Sequence, residues 1–205
     1  MARRQSRERF GARVKRVAKF LLRSLSLLAA LPLAAASGFG RLEAVFSFFA
    51  HCCAMAPGIP GDYLRVAFYR LTLVECSLAS RISFGSFFAH RDATVGPHVY
   101  IGSYCIIGRA AIGHHTQIAS GVQVISGGRQ HTRNERGEIS GAEQGVFAPV
   151  KIGDHCWIGA AAVIMADVGP GATIGAGSVV SRPVPARSVA VGSPARVIGA
   201  NEPSY

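Results

Sequence analysis

Val95-Gly-Pro-His-Val-Tyr, Ile101-Gly-Ser-Tyr-Cys-Ile, Ile107-Gly-Arg-Ala-Ala, Ile112-Gly-His-His-Thr-Gln and Ile118-Ala-Ser-Gly-Val-Gln run without interruption into Val124. After a break the pattern resumes as Ile152-Gly-Asp-His-Cys-Trp, Ile158-Gly-Ala-Ala-Ala-Val, Ile164-Met-Ala-Asp, Val168-Gly-Pro-Gly-Ala-Thr, Ile174-Gly-Ala-Gly-Ser-Val and Val180. An aliphatic residue followed by a small one thus returns about every six positions. Six is the period of neither a helix nor a half-exposed strand, so the chain is a repeat protein whose unit is one short strand plus one corner. The aliphatic residue is expected to point inward, with a small fifth residue beside it (Cys105, Ala111, Thr116, Val122, Ala162, Ala172, Ser178). Gly at the second position suits a tight bend. Stacked hexads bury a continuous Val/Ile column, and parallel strands about 4.8 Å apart satisfy each neighbouring coil's backbone. Two hexads, at Ile107 and Ile164, are clipped.

This register resembles the hexapeptide-repeat acyltransferases, over roughly residues 82–198. The resemblance implies a mainly β fold, a left-handed parallel β-helix, here with a helical, apolar and basic N-terminal extension. The expected organisation is residues 1–61 as membrane-associated helices, 62–76 as a capping helix, 77–199 as the β-helix with a long loop at 125–149, and 200–205 as a tail. The first, irregular coil is expected at 82–94.

Composition separates the two ends of the chain. Of the net charge of +11, residues 1–23 supply +8 through nine Arg or Lys against one Glu, leaving only +3 for the rest. A basic tail suits nucleic acid or an anionic membrane. Residues 25–36 that follow are apolar and hold no aromatic residue to stack on a base, so an anionic membrane surface, and no nucleic acid, is the expected partner. The basic residues Arg9, Arg13, Arg16 and Lys19 share one helical face. Residues 45–55 form a second apolar stretch after Gly38 and Gly40. Each apolar core is shorter than the roughly 20 residues of a spanning helix, which favours an interfacial hairpin on the cytoplasmic face of an inner membrane. A signal peptide ending near Ala34-Ala35-Ala36 is the rival reading, with Arg23 interrupting its apolar region. Residues 62–75 have the pattern of an amphipathic helix that would cap the open end of the solenoid.

Five cysteines (Cys52, Cys53, Cys76, Cys105, Cys156) show no C-x-x-C and no zinc spacing, so reduced thiols in apolar surroundings are expected, and no metal. Residues 125–149 are polar and long enough for a functional loop. They contain His131, and imidazole suits the removal of one hydroxyl proton near neutral pH. The resemblance places the family's general base at His131. It also implies that His90, where sugar-acetylating relatives such as the galactoside and maltose acetyltransferases carry Asn, contacts the acceptor, with His90 as the second candidate base.

For the donor, the resemblance implies Trp157 beside the thioester, Ala160 and Ala176 along the pantetheine arm, and Ser181, Arg182 and Arg196 at the nucleotide end, where arginine suits phosphate. Packing is the alternative for Trp157, and plain surface charge for the two arginines. His98, His114, His115 and His155 occupy outward hexad positions and are expected to face solvent. The function implied is transfer of an acyl group, expected to be acetyl from acetyl-CoA, to a sugar hydroxyl in cell-surface or exopolysaccharide biosynthesis, by a homotrimer whose acceptor is a sugar or lipid-linked oligosaccharide. A membrane-tethered scaffold without catalysis is one alternative. A γ-type carbonic anhydrase is another, and it lacks the paired loop histidines that chemistry needs.

Overall fold

The computed structural model describes residues 2–126, 136 and 149–201, with residues 2–16 as backbone only. Three helices precede a left-handed parallel β-helix of about five turns. Helix α1 (Ala2–Ala36) is one continuous helix through both the basic and the apolar stretch. It ends where Gly38 enters the left-handed region (φ 59°) and the Phe39 N–H donates back to the Ala34 carbonyl at 2.7 Å. Helix α2 (Glu43–Ala54) and helix α3 (Gly58–Thr72) follow. The cap over the first coil is therefore α3, which begins before Asp62 and stops at Thr72. Within α1 the 20 residues Val17–Ala36, which include Lys19 and Arg23, are long and apolar enough to cross a membrane by length and composition.

The solenoid has three faces. Face one contains β1 (Glu75–Cys76), β4 (Thr94–Val95), β7 (Ala110–Ile112) and β10 (Val150–Ile152), and continues as single bridges at Val168 and Val184. Face two contains β2 (Arg81–Ile82), β5 (Tyr100–Ile101), β8 (Gln117–Ile118), β11 (Trp157–Ile158), β13 (Thr173–Ile174) and β15 (Ser188–Gly192). An antiparallel strand, β16 (Ala195–Ala200), closes that face at its C-terminal end. Face three contains β3 (Phe87–Phe88), β6 (Ile106–Ile107), β9 (Gln123–Val124), β12 (Val163–Ile164) and β14 (Val179–Val180). The first coil thus starts at Glu75, earlier than residue 82, because Cys76 pairs in register with Val95.

In each full hexad the first residue is buried, and so is the fifth, from Val99 and Cys105 to Ser178 and Ser188. Fifth-position hydroxyls also complete the corners. Thr116 Oγ1 donates to the Gly153 carbonyl at 2.7 Å and accepts the Cys156 N–H at 3.1 Å, so a small polar residue is satisfied inside an apolar column. In the clipped hexad the inward residue is Ala110 and not Ala111, which is half-buried, because the missing residue belongs to the corner. Both clipped hexads, and the interval 125–149, lie at the edge joining face three to face one. The other two edges keep regular four-residue corners.

The left-handed backbone sits at the fourth position, as His98 (φ 60°), Tyr104 (59°), His115 (57°), His155 (55°), Ala161 (57°) and Gly177 (67°) show. The second-position glycine has another cause, since it is the point of closest approach between coils. A Cβ on Gly159 would lie 2.4 Å from the Ala176 nitrogen and 2.7 Å from the Gly175 carbonyl carbon, both backbone, whereas one on Gly177 would meet open space. Gly159→Ala is expected to cost about 1–3 kcal/mol through overpacking. Gly177→Asn should cost less, since Asn tolerates a left-handed backbone. Urea unfolding of the two variants checks the order, and equal losses would return the second-position glycine to a conformational role.

The N-terminal layer is fastened by Arg65, whose side chain is 0% exposed. Its Nε donates to the Ile82 carbonyl at 2.9 Å, and its Nη1 reaches the carbonyls of Cys53 (3.1 Å), Ala54 (3.3 Å) and Ala56 (2.7 Å). Its Nη2 pairs with Asp62, which also holds Arg81 Nε at 2.8 Å. One cation thereby ties α2, α3 and the first coil together. Tyr69 adds a second tie, its hydroxyl accepting the Phe88 N–H at 3.1 Å. Burial pushes the Tyr69 phenol well above its ordinary pKa.

Candidate functional site

Face two carries an exposed aromatic, Trp157. In β11, Trp157 alternates with buried Ile158, so the pleat turns its indole outward between Gln117 and Thr173, its in-register neighbours. Its side chain is 60% exposed, which leaves packing within this chain without support. The edge joining face two to face three begins immediately after it. Over three successive coils that edge reads Ser120-Gly121, Ala160-Ala161 and Ala176-Gly177, stacked by Ala161 N–H to the Ser120 carbonyl (2.9 Å) and Gly177 N–H to the Ala160 carbonyl (2.8 Å). No side chain there is larger than serine, so a thin, extended group can lie along the backbone. Nearer the helices the same edge becomes aromatic, with the Phe84 and Tyr104 rings 5.6 Å apart edge to face.

The edge between faces three and one carries the second group of candidates. His90, between β3 and β4, holds Glu43 Oε1 at 2.9 Å through Nδ1, linking this corner to the start of α2. One coil further, Arg109 faces Asp92 at 3.6 Å. Ser181 and Arg182 are exposed at the same edge after β14. His131 falls in the interval between β9 and β10 and lies outside the described residues. Arg196 is exposed on β16, its Nη1 donating to the Ala195 carbonyl at 3.0 Å. A single chain therefore places Trp157, Ala160 and Ala176 on one side and, along another edge, His90 after β3 and Ser181 and Arg182 after β14, four rungs away.

The edge between faces one and two holds a feature that hexad-by-hexad reading missed. His98, His115 and His155 occupy the same fourth position in three successive coils, and their rings stack at 4.7 Å and 5.0 Å. His114 stands edge-on to His155 at 4.9 Å, with its Nε2 3.1 Å from Asp154 Oδ2. Writing the hexads three to a row would have exposed this column. Among the described residues no group of three or more His, Cys, Asp or Glu is placed to hold a metal ion.

Partial desolvation in the stack, then the neighbouring His98, His155 and His114, lowers the pKa of His115 from its ordinary value. The folded imidazole thus binds a proton less readily than the unfolded one. Its contribution to stability is full above the unfolded value of about 6.5 and is lost as pH falls through the lower folded value. His115→Asn keeps a residue that accepts the left-handed backbone. The expected result is a smaller drop in urea midpoint for this variant than for the wild type between pH 7.5 and 5; equal drops would exclude the stack as an acid-sensitive point.

The thiols offer no nucleophile in the core. Burial is the leading cause in each case, pushing Cys53 up to about 11 and Cys76 up to about 12, and raising Cys105 and Cys156 as well. All five cysteines are free. Cys52, expected in apolar surroundings, is exposed, because α2 turns Cys53 and not its neighbour toward the core.

Comparison with known proteins agrees with this geometry. The bacterial transferase hexapeptide (six repeats) family model matches residues 149–182. Nodulation protein L of Rhizobium meliloti is 39% identical over 117 residues, covering 53% of this chain and 60% of that protein. The serine acetyltransferase of Mycobacterium tuberculosis is 33% identical over 122 residues, 56% of this chain and 46% of that one. The chain spans less than two thirds of the length of these curated relatives. Among solved structures, a maltose O-acetyltransferase from Clostridium difficile 630 superposes with a TM-score of 0.62 at 23% identity, over 80% of this chain and 90% of that one. A galactoside acetyltransferase in complex with coenzyme A superposes with a TM-score of 0.60 at 20% identity, over 79% and 84%. At those identities the likeness establishes the fold.

Proposed function

We propose that this chain, carrying the bacterial transferase hexapeptide repeat, is a coenzyme A-dependent O-acyltransferase that moves an acetyl group from acetyl-CoA to a sugar hydroxyl of a cell-surface or exopolysaccharide precursor. The observation that carries the proposal is the exposed indole of Trp157 standing beside the bare Ala160–Ala176 edge. A pantetheine arm is long, thin and able to hydrogen-bond along its amides, which fits an edge of small residues whose backbone is accessible. In this reading Trp157 lies against the thioester end. Ser181, Arg182 and Arg196 receive the nucleotide end, and the separate side on which His90, Ser181 and Arg182 stand is brought to Trp157 by a neighbouring copy in a homotrimer.

His131 serves as general base, taking the proton of the acceptor hydroxyl as its oxygen attacks the thioester carbonyl. The new C–O bond forms as the C–S bond breaks, and coenzyme A leaves as the thiolate and is then protonated. His90 contacts the acceptor. The exposed apolar stripe of α1, with the basic residues before it, attaches the enzyme to the cytoplasmic face of an anionic membrane, where a lipid-linked acceptor would be presented.

Calorimetry tests the donor half of the proposal. Wild-type protein is expected to bind coenzyme A, and Arg196→Ala or Arg182→Ala should weaken coenzyme A more than dephospho-coenzyme A where the lost contact is to the 3′-phosphate. Equal weakening of both ligands would remove that assignment. No binding of either ligand to the wild type would leave the scaffold reading in its place.

A further inference from the structure

The edge that carries Ala160 and Ala176 continues toward the helices, and its left-handed fourth position can be followed through five coils. The residues there are Gly85 (φ 76°), Tyr104 (59°), Gly121 (73°), Ala161 (57°) and Gly177 (67°). Four of them carry no side chain beyond a methyl group. Glycine meets this backbone at no steric cost, whereas a bulky residue is strained in it. An aromatic kept at that corner needs a reason outside folding. The ring is also fixed in place. It lies against Gly85, where an added Cβ would come within 2.5 Å of its Cδ1 and 2.7 Å of its Cε1, so the glycine makes room for it. The Phe84 ring meets it edge to face at 5.6 Å with the planes at 89°, and the Tyr104 N–H donates to the Phe84 carbonyl at 3.0 Å. Tyr104 is nonetheless 64% exposed. On the next coil Ser120 is exposed, its Oγ accepting the Ser103 N–H at 3.2 Å and keeping its own proton to give. A held aromatic surface with a hydroxyl beside it matches a pyranose, which has a C–H face and a rim of oxygens.

We propose that Tyr104 is the stacking platform for a second glycosyl unit of the acceptor, next to the unit that is acylated, so that the protein selects an oligosaccharide over a free monosaccharide. The order of groups along the edge carries this. With the nucleotide end of coenzyme A at Arg196 on β16 and the thioester at Trp157, the donor ends on the Trp157 coil. The next positions toward the helices, Ser120 and then Tyr104, are left for the acceptor. Tyr104 belongs to the Tyr100 coil, which lies two rungs, about 10 Å, from the Trp157 coil by way of Gln117. The electron-rich face of the ring takes the C–H face of the sugar, and Ser120 gives its proton to a sugar oxygen. The inference rests on the acyl-transfer reading above and deepens it by naming the residue that selects the acceptor.

The full chain, with and without coenzyme A, is read against an array of bacterial mono- and oligosaccharides, and the glycan bound best is carried into calorimetry and saturation-transfer NMR. That glycan is expected to be longer than one unit. Tyr104→Asn should weaken it about five- to tenfold, the worth of one aromatic contact. Tyr104→Phe should retain it, and so should Phe48→Ala, which removes an exposed aromatic on α2. Asparagine accepts the left-handed backbone, so thermal unfolding of Tyr104→Asn should not fall and the lost affinity is not a lost fold. In the NMR experiment, saturation of aromatic protons should pass to the C–H protons of the glycan in the wild type and drop in Tyr104→Asn. Unchanged affinity in Tyr104→Asn would overturn the platform, as would a wild type that binds only monosaccharides or no glycan at all. Either result in a protein that still binds coenzyme A leaves the acyl-transfer reading standing. Glycan binding through Tyr104 in a protein that binds no coenzyme A supports the platform and overturns the acyl-transfer reading.

Discussion

Replacing His131 by alanine is expected to lower kcat about 10²- to 10⁴-fold, the usual contribution of a general base, with thermal unfolding and acyl-CoA binding unchanged. The proposal takes the base from the resemblance of the sequence, and five other imidazoles have engagements of their own. His98, His115 and His155 stack on one another, His114 faces Asp154, and His90 holds Glu43. Steady-state kinetics with acetyl-CoA and a sugar acceptor measures the loss. Unchanged turnover would move the role to His90. His90→Asn then separates the two possibilities, since an acceptor contact raises the acceptor KM while a base depresses kcat.

Arg65→Met should produce the largest loss of stability of any single substitution in the N-terminal layer, about 3–5 kcal/mol. The methionine fills the space but donates nothing. It leaves Asp62 with one cation fewer and strips the carbonyls of Cys53, Ala56 and Ile82 of their donor at once. Urea unfolding of the purified protein gives the number. Restoring part of it by the second change Asp62→Asn would show that the stranded carboxylate, rather than the carbonyls, carries most of the cost. A loss under about 1 kcal/mol would mean that water replaces the guanidinium, and that the layer is held by its apolar contacts alone.

The solenoid was legible because its period is a property of the sequence itself. Ile101, Ile118, Ile158 and Ile174 stack on face two as the hexads imply. Ala110 was misplaced by one position, since a five-residue hexad does not say which of its residues is missing. The reason for Gly159 was also hidden, because its neighbour Ala176 arrives 17 positions later in the chain and only stacking makes them meet. Arg65 reads in sequence as a charge on an amphipathic helix; its burial depends on three carbonyls from another helix end, which no local pattern encodes. The histidine column needed the corner positions compared across coils. Trp157 could be named from its resemblance, but its outward direction follows from the strand pleat in β11.

The confinement of every irregularity to the edge between faces three and one has a consequence for how the chain closes on itself. Along face two, Tyr100 meets Gln117 after 17 residues, whereas Gln117 meets Trp157 only after 40, because the interval 125–149 intervenes. Loop-closure entropy grows as the logarithm of length, so this longer excursion costs only about 0.8 kcal/mol more than a regular coil. Chain inserted at this one edge is thus nearly free thermodynamically, while the same insertion at either other edge would have to break a four-residue corner and its left-handed residue. The length and sequence of that interval can therefore be exchanged with the coil-to-coil register left to the isoleucines.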